Sequence, residues 1–324
     1  MGKALTEKNQ VVKRNDLNSL RPRDMTLQEL RFFSIYLSRI NPLDVSTRRV
    51  SFPLGEFCEV MELDRIKVDR VKAATDGLLR KLVHLPAERG GYVSFQLFKE
   101  CEVSRDADGG WRVSIDAHDK ALPLMFEFRE RFFSYPLWNV LRLRSKHHFR
   151  MYEILKQYES AGERTVGLDE LKDLLGVGPE KYPRYGDFRD RVLEPSRKAL
   201  DELSDISFSY EPSVRRGAGG KVLQLRFEIR RNDANISPDS RRRSLAASRA
   251  HDTIALFMGA CGNEFSEAQT RVFRDMLEVR YGPMYDVLEC YELLVRLYDV
   301  MNANDEKSKI LNRYGYMRKL LESY

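Results

Sequence analysis

The sequence is short of what a secreted framework, a metalloenzyme or a membrane protein would need. Only four cysteines occur in 324 residues, Cys58, Cys101, Cys261 and Cys290, and they stand far apart. None has the close spacing of a zinc site, and nothing suggests a disulfide framework. Reduced, mostly buried thiols are the expectation. No apolar run approaches the roughly 20 residues that cross a bilayer, and the first residues lack the apolar core of a secretory signal. A soluble, cytoplasmic protein with no membrane partner is expected. Histidine is scarce too: His147 and His148 are adjacent, and His84, His118 and His251 are isolated. A metal-dependent nicking enzyme needs two histidines one residue apart, beside a tyrosine nucleophile. The glycine clusters make no phosphate loop: in GAGGK at 217–221 the first required glycine is Arg215, and Val222 replaces the Ser or Thr after the lysine. GVGPEK at 176–181 fails likewise. No Ser/His/Asp or carboxylate constellation stands out, so no catalytic residue, metal or cofactor is expected.

Charge, by contrast, is abundant. Lys and Arg number 55 against 49 Asp and Glu, a net charge of +6 with a pI near 9.0. That balance favours an acidic partner, although a mildly basic solvated surface would give the same total. The length allows two or three domains, each with its own core.

The stretch from Ser145 to Arg230 organises the chain. SKHHFRMYEILKQYESAG places Phe149, Tyr152, Ile154, Leu155 and Tyr158 at helical spacing, with Gly162 as a stop. After the connector ERTVG comes a short helix, LDELKDLLGVG, closed by Gly176 and Gly178. A third helix, GDFRDRVLEPSRKALDELS, turns Phe188, Val192, Leu193, Leu200 and Leu203 inward. DISFSYEP, the basic turn VRRGAGG and KVLQLRFEIRR then alternate as a two-stranded hairpin, with Phe208, Tyr210, Val222, Leu223, Leu225, Phe227 and Ile229 as its apolar positions. Three helices closed by a hairpin are the order of a winged helix-turn-helix, which offers its third helix to a major groove and its wing to the backbone.

The string S-x-H-x-F-R-M-Y-E-I-L-K-Q-Y, then L-D-E-L-K-D-L-L-G-V, then Y-x-x-Y-x-D-F-R-D-R-V-L-E-P resembles the second winged-helix domain of the iteron-binding plasmid replication initiators. The likeness extends over roughly residues 10–231, beginning at QVVKRNDLNSL. It implies origin repeats bound as a monomer, opening of nearby duplex, recruitment of the host initiator and replicative helicase machinery, and dimeric repression of the protein's own gene. It implies neither metal nor nucleotide. A dimeric winged-helix repressor with no replication role is the alternative and predicts an inverted-repeat site. A nicking replication enzyme is the third reading.

The first half repeats the order helix, helix, basic helix, hairpin. Residues 1–24 form a basic, partly flexible arm, ordered from Gln10 onward. Thr26 with Glu29 starts a helix whose inner face is Leu30, Phe33, Ile35 and Leu37. RRVSFPLGEFCEVMEL reads as a strand and a short helix, and RIKVDRVKAATDGLLRKLV as a longer one with Val68, Val71, Leu78, Leu79 and Leu82 inward. Its opposite face carries Arg65, Lys67, Arg70, Lys72, Arg80 and Lys81 against only Asp69 and Asp76. A solvated face mixes signs more evenly, so this helix is a DNA-contact candidate. YVSFQLFKECEVS and WRVSIDAH make a hairpin that bends at Asp108-Gly109-Gly110.

The expected fold class is therefore α+β: two tandem winged-helix domains of duplicated architecture, followed by a small helical C-terminal module. The expected boundaries are 1–24 arm, 25–119 first domain, 120–144 helical joint, 145–231 second domain, 232–249 Arg-rich linker and 250–324 helical module. In the module, Ser266 and Gln269 cap one helix, Pro283 opens another, and Leu288, Tyr291, Leu294, Val295, Tyr298 and Met301 stripe it.

Thirteen residues are DNA-contact candidates. In the first domain they are Arg65, Lys67, Arg70 and Lys72. In the second, the charges of the third helix balance, so charge alone also fits a solvated face. The resemblance places recognition there, on Arg184, Arg189, Arg191, Arg197 and Lys198, with the arginines near the start best placed to read base edges. Lys146 joins them at the head of the domain. Arg215, Arg216 and Lys221 in the wing are expected to hold phosphates.

Overall fold

The computed structural model describes residues 5, 9–20, 23–61, 66–87, 89–128, 130–214, 221–235, 253–281 and 287–324. The arm forms strand β1 (Gln10–Arg14) and helix α1 (Asn15–Leu20). Helix α2 (Leu27–Arg39) follows the expected capping box: the Glu29 N–H donates to the Thr26 hydroxyl at 3.3 Å, and the Thr26 N–H to the Glu29 carboxylate at 2.9 Å. Strand β2 (Arg49–Pro53) leads into α3 (Leu54–Val60) and α4 (Val68–Arg80). Strands β5 (Phe98–Arg105) and β6 (Trp111–Ala117) complete the first winged helix, in a sheet of order β2-β6-β5.

Between α4 and β5 lies a hairpin that sequence patterning does not separate, β3 (Leu82–Pro86) against β4 (Tyr92–Gln96). The helix expected to reach Val83 stops at Arg80, where Lys81 turns extended. Leu82, expected on the helix's inner face, stands 44% exposed on β3. The expected first strand of the 92–118 hairpin is therefore two strands, each with its own partner.

The joint is not purely helical either. It holds α5 (Leu122–Met125), strand β7 (Phe132–Pro136) and α6 (Leu137–Leu141). β7 pairs antiparallel with β1, register Val12↔Ser134, so the arm and the joint close one small sheet.

The second winged helix repeats the plan. Helix α7 (Lys146–Lys156), strand β8 (Glu163–Gly167) and α8 (Leu168–Leu174) precede the third helix, α9 (Tyr185–Phe188), which runs through a π-helical turn (Arg189–Leu193) into α10 (Glu194–Leu203). Strands β9 (Ile206–Val214) and β10 (Val222–Arg231) follow, in the order β8-β10-β9. ERTVG is thus a strand and not merely a connector, and the wing sheet has three strands. A register shift between Val222 and Gln224 leaves Leu223 exposed, although simple alternation had it inward.

Gly176 shows how closely the arm is packed on this domain. It closes α8 at φ +69°, and a Cβ there would stand 2.2 Å from the Arg23 carbonyl oxygen. Only glycine meets both conditions.

The two winged helices share one apolar core, drawn from residues 5 to 229. Helix α2 packs on β1, α4, α6 and α7, so Arg31, Phe32 and Tyr36 are buried along with the expected face. A buried ionic cluster ties the arm to α7. Lys13 Nζ lies 2.7 Å from Glu153 Oε1, Arg150 Nη1 lies 2.7 Å from Glu153 Oε2, and the Tyr135 hydroxyl donates to Glu153 at 2.8 Å. Arg150 also donates to the Asn18 side chain at 2.7 Å and to its carbonyl at 3.0 Å.

His147, also buried on α7, makes stability pH-dependent. Burial holds its imidazole well below the ordinary range, and Lys146, Lys181 and His148 push the same way against a backbone hydrogen bond at Leu175. The unfolded chain takes up that proton below about pH 6.5 while the folded chain does not. Stability contributed by neutral His147 is therefore lost as pH falls. The loss at pH 5 relative to pH 7 is at most about 2 kcal/mol, the limit for an imidazole that stays neutral in the fold. In urea unfolding at the two pH values, His147→Gln is expected to lose less than the parent by up to that amount; an identical loss in both would rule His147 out.

The remaining helices, α11 (Thr253–Ala260), α12 (Glu267–Tyr281), α13 (Val287–Lys307) and α14 (Arg313–Ser323), build a second core of their own from residues 257 to 321. Ser266 and Gln269 cap α12 reciprocally at 2.8 and 3.3 Å. Leu294 and Met301 sit at the centre of that core, with Tyr291, Val295 and Tyr298 at its edge. Pro283 and most of the Arg-rich linker, including Arg241, Arg242 and Arg243, lie outside the described residues, and so does the side chain of Leu288.

Candidate nucleic-acid interface

The third helix of the second domain owes its shape to Pro195. Proline has no N–H to give the carbonyl four residues back, here that of Arg191, and its ring crowds that oxygen. The helix responds with a π turn, in which the Glu194 N–H donates to the carbonyl of Arg189 five residues back. The phase of the helix still keeps Phe188, Val192, Leu193, Ala199, Leu200 and Leu203 buried. Arg184, Arg189, Arg191, Arg197 and Lys198 all project outward.

Most of these arginines hold an acid on their own helix. Arg184 pairs with Asp187 at 3.0 Å, Arg189 with Asp190 at 2.7 Å and Arg197 with Glu194 at 2.8 Å. Exposed pairs of this kind contribute little, so each can be exchanged for a phosphate or a guanine edge. Arg191 forms no ion pair among the described residues. The Tyr210 hydroxyl on β9 donates to Glu194 at 2.5 Å, which with Arg197 holds that carboxyl below its usual range and fixes the wing strand to the helix. Lys221 is exposed where β10 begins, Lys146 is half-buried in the first turn of α7, and Arg215 and Arg216 lie outside the described residues.

In the first domain, α4 buries Val71, Ala74, Thr75 and Leu78. Lys67 and Lys72 are exposed, Arg70 is half-buried, and Arg65 lies outside the described residues. Lys72 pairs with Asp76 at 2.6 Å. Lys81 does not share this face. The turn into β3 carries it onto the start of α2, where it meets Asp24 at 2.8 Å and Glu29 at 3.3 Å. The basic surface is narrower than the sequence count implied.

The C-terminal helices also reach these positions, which sequence reasoning did not foresee. Arg70 Nη2 donates to the Val279 carbonyl at 2.7 Å, and Glu292 receives Lys181 at 2.9 Å together with the Tyr182 hydroxyl. Among the described residues no group of three or more His, Cys, Asp or Glu is placed to hold a metal ion, and no helix is long and apolar enough to cross a membrane.

Comparison with known proteins addresses both halves. Residues 10–156 match the family model described as Initiator Replication protein, WH1, and residues 167–229 match that of Initiator Rep protein, WH2. No curated protein matches the chain significantly. Among solved structures, the Pi initiator protein in complex with iteron DNA is similar over 69% of this chain and 98% of its own, with a TM-score of 0.57 and 18% identity. At that identity the likeness concerns the fold. Two winged helices, matched in order and across most of the chain, place this protein in the family of initiator Rep proteins.

Proposed function

We propose that the protein initiates plasmid replication by gripping directly repeated origin sites with both winged helices, as a monomer. The observation that carries this is the rigid tandem. The two domains share one core, a buried ionic cluster ties the arm and the joint to the second domain, and each domain turns a helix with exposed cations outward. A fixed pair of recognition helices suits a site read on successive major-groove faces. The Pi initiator was crystallised with iteron DNA, and directly repeated duplex sites are the corresponding ligand here. The protein works in the cytoplasm by binding and recruitment, with no catalysed step, metal or cofactor. Its further partners are the host initiator and replicative helicase machinery, and a dimeric form represses its own gene.

A footprint on the DNA flanking the gene tests this. Protection of direct repeats is expected; protection of a single inverted repeat would overturn it. Supercoiled origin DNA with Mg²⁺ is expected to stay unnicked.

At residue level, Arg189 and Arg191 are assigned to base edges or to the adjoining backbone. Replacing a base-reading arginine by Ala is expected to cost about 1–3 kcal/mol of affinity and relax specificity at one base pair. Unchanged affinity and salt dependence in both single variants would remove them from the interface.

A further inference from the structure

The C-terminal helices lie across the starts of both proposed recognition helices. At one end, the carbonyl of Val279, near the end of α12, accepts from Arg70 in the first turn of α4 at 2.7 Å. At the other, Glu292 on α13 holds Lys181 at 2.9 Å and accepts from the Tyr182 hydroxyl, just ahead of α9. Glu292, Arg296 and Asp299 share a cleft of about 420 Å³ with Arg191. A recognition helix addresses DNA with its N-terminal part; here the module touches the first turn of α4 and, at the second helix, the segment just ahead of α9 and the flank beside Arg191.

The charge of the occupant suits the position. Residues 250–324 carry 12 acidic side chains against 9 basic, whereas the whole chain is +6. Helix α13 has five acids, Glu289, Glu292, Asp299, Asp305 and Glu306, against Arg296 and Lys307. The contacts named are polar and lie between two separate apolar cores, so the docking can release without unfolding either. The 17 residues 236–252 that join the parts can span at most about 60 Å, enough for the module to leave the face while still attached.

We propose that the acidic C-terminal module is an intramolecular competitor of DNA, docked on both recognition helices and displaced when duplex binds. This rests on the reading that α4 and the α9–α10 helix face DNA. The apparent dissociation constant of the full chain then exceeds the intrinsic one by the inverse of the undocked fraction.

The test uses the full chain and a mixed-sequence duplex of about 30 base pairs, read by fluorescence anisotropy. Glu292→Gln removes the carboxylate that holds Lys181 and Tyr182 while leaving Arg70 and Arg191 intact. Glu322→Gln is the control: it makes the same charge change on α14, where Glu322 pairs with Arg318 one helical turn away. Glu292→Gln is expected to bind several-fold more tightly than the parent, and Glu322→Gln to bind like it. A chain ending at Ala250 keeps the whole first core and is expected to bind roughly tenfold more tightly or better, as for a minor state of 10% or less. Equal binding by the parent, Glu292→Gln and the shortened chain would overturn the proposal, as would weaker binding by the shortened chain. Arg189→Ala and Arg191→Ala in the shortened chain separate the two readings. If they weaken binding while truncation does not tighten it, the DNA face stands and the competitor falls. If they leave both affinity and its salt dependence unchanged, for this duplex and for one carrying a footprinted repeat, the DNA face itself is wrong.

Discussion

Replacing Glu153 by alanine is expected to lower the unfolding free energy by about 3–5 kcal/mol, because it takes a buried carboxylate away from two buried cations. The carboxylate is 1% exposed and accepts from Lys13 and Arg150, which are 0% and 2% exposed. Burial already pushes the Arg150 guanidinium down, and Glu153 is the main influence restoring it. Without that charge, both cations stay desolvated and lose this carboxylate, which costs more than the pair itself contributes. Glu153→Gln keeps the shape and one acceptor oxygen, so its loss should be smaller. The cluster joins β1, α1, β7 and α7, so the same change should also loosen the fixed spacing of the two winged helices. Urea unfolding with a linear extrapolation measures the first effect. A loss below about 1 kcal/mol, the range of exposed pairs, would mean that water or a side-chain shift replaces the carboxylate.

The parts of the fold legible in sequence are those written in local chemistry. Thr26 with Glu29 and Ser266 with Gln269 are spaced to bond each other's backbone, and both pairs do so. Phe188 and Val192, four residues apart, had to share a face, and both are buried. What was not legible depends on partners far away in the chain. ERTVG has one buried apolar residue, Val166, and becomes a strand only because β10 lies beside it. Phe132–Pro136 pairs with Gln10–Arg14 across more than a hundred residues, and nothing in either segment announces the other. Lys81 looked like part of a basic face until α2 brought Asp24 and Glu29 to it. Arg70 meets a backbone carbonyl at Val279, a contact with no side-chain signature at all. Net charge misled for the same reason: counting cations along a helix cannot reveal which are already engaged by another element.

Neutralising Lys67, Arg70 and Lys72 together is expected to weaken DNA binding by about a hundredfold near physiological salt, for all sequences alike. Each phosphate contact adds roughly 0.9 to the slope of log affinity against log salt, which at about 0.15 M is worth close to 1 kcal/mol. Three contacts therefore remove nearly three units of slope and about 3 kcal/mol. Alanine suits the purpose, since it is the best helix former. The Lys72–Asp76 pair that is lost is solvent-exposed and contributes little to folding. Lys67 caps α4 without a side-chain hydrogen bond, so its removal leaves the helix start unchanged. Arg70 complicates a full-chain measurement, because its loss also frees the Val279 carbonyl and favours undocking of the C-terminal helices. The experiment is therefore cleaner in the chain ending at Ala250. There the slope reports phosphates alone, and base-specific discrimination by Arg189 and Arg191 should survive while total affinity falls. A slope unchanged within half a unit would mean that α4 faces solvent and that the second domain alone holds the duplex.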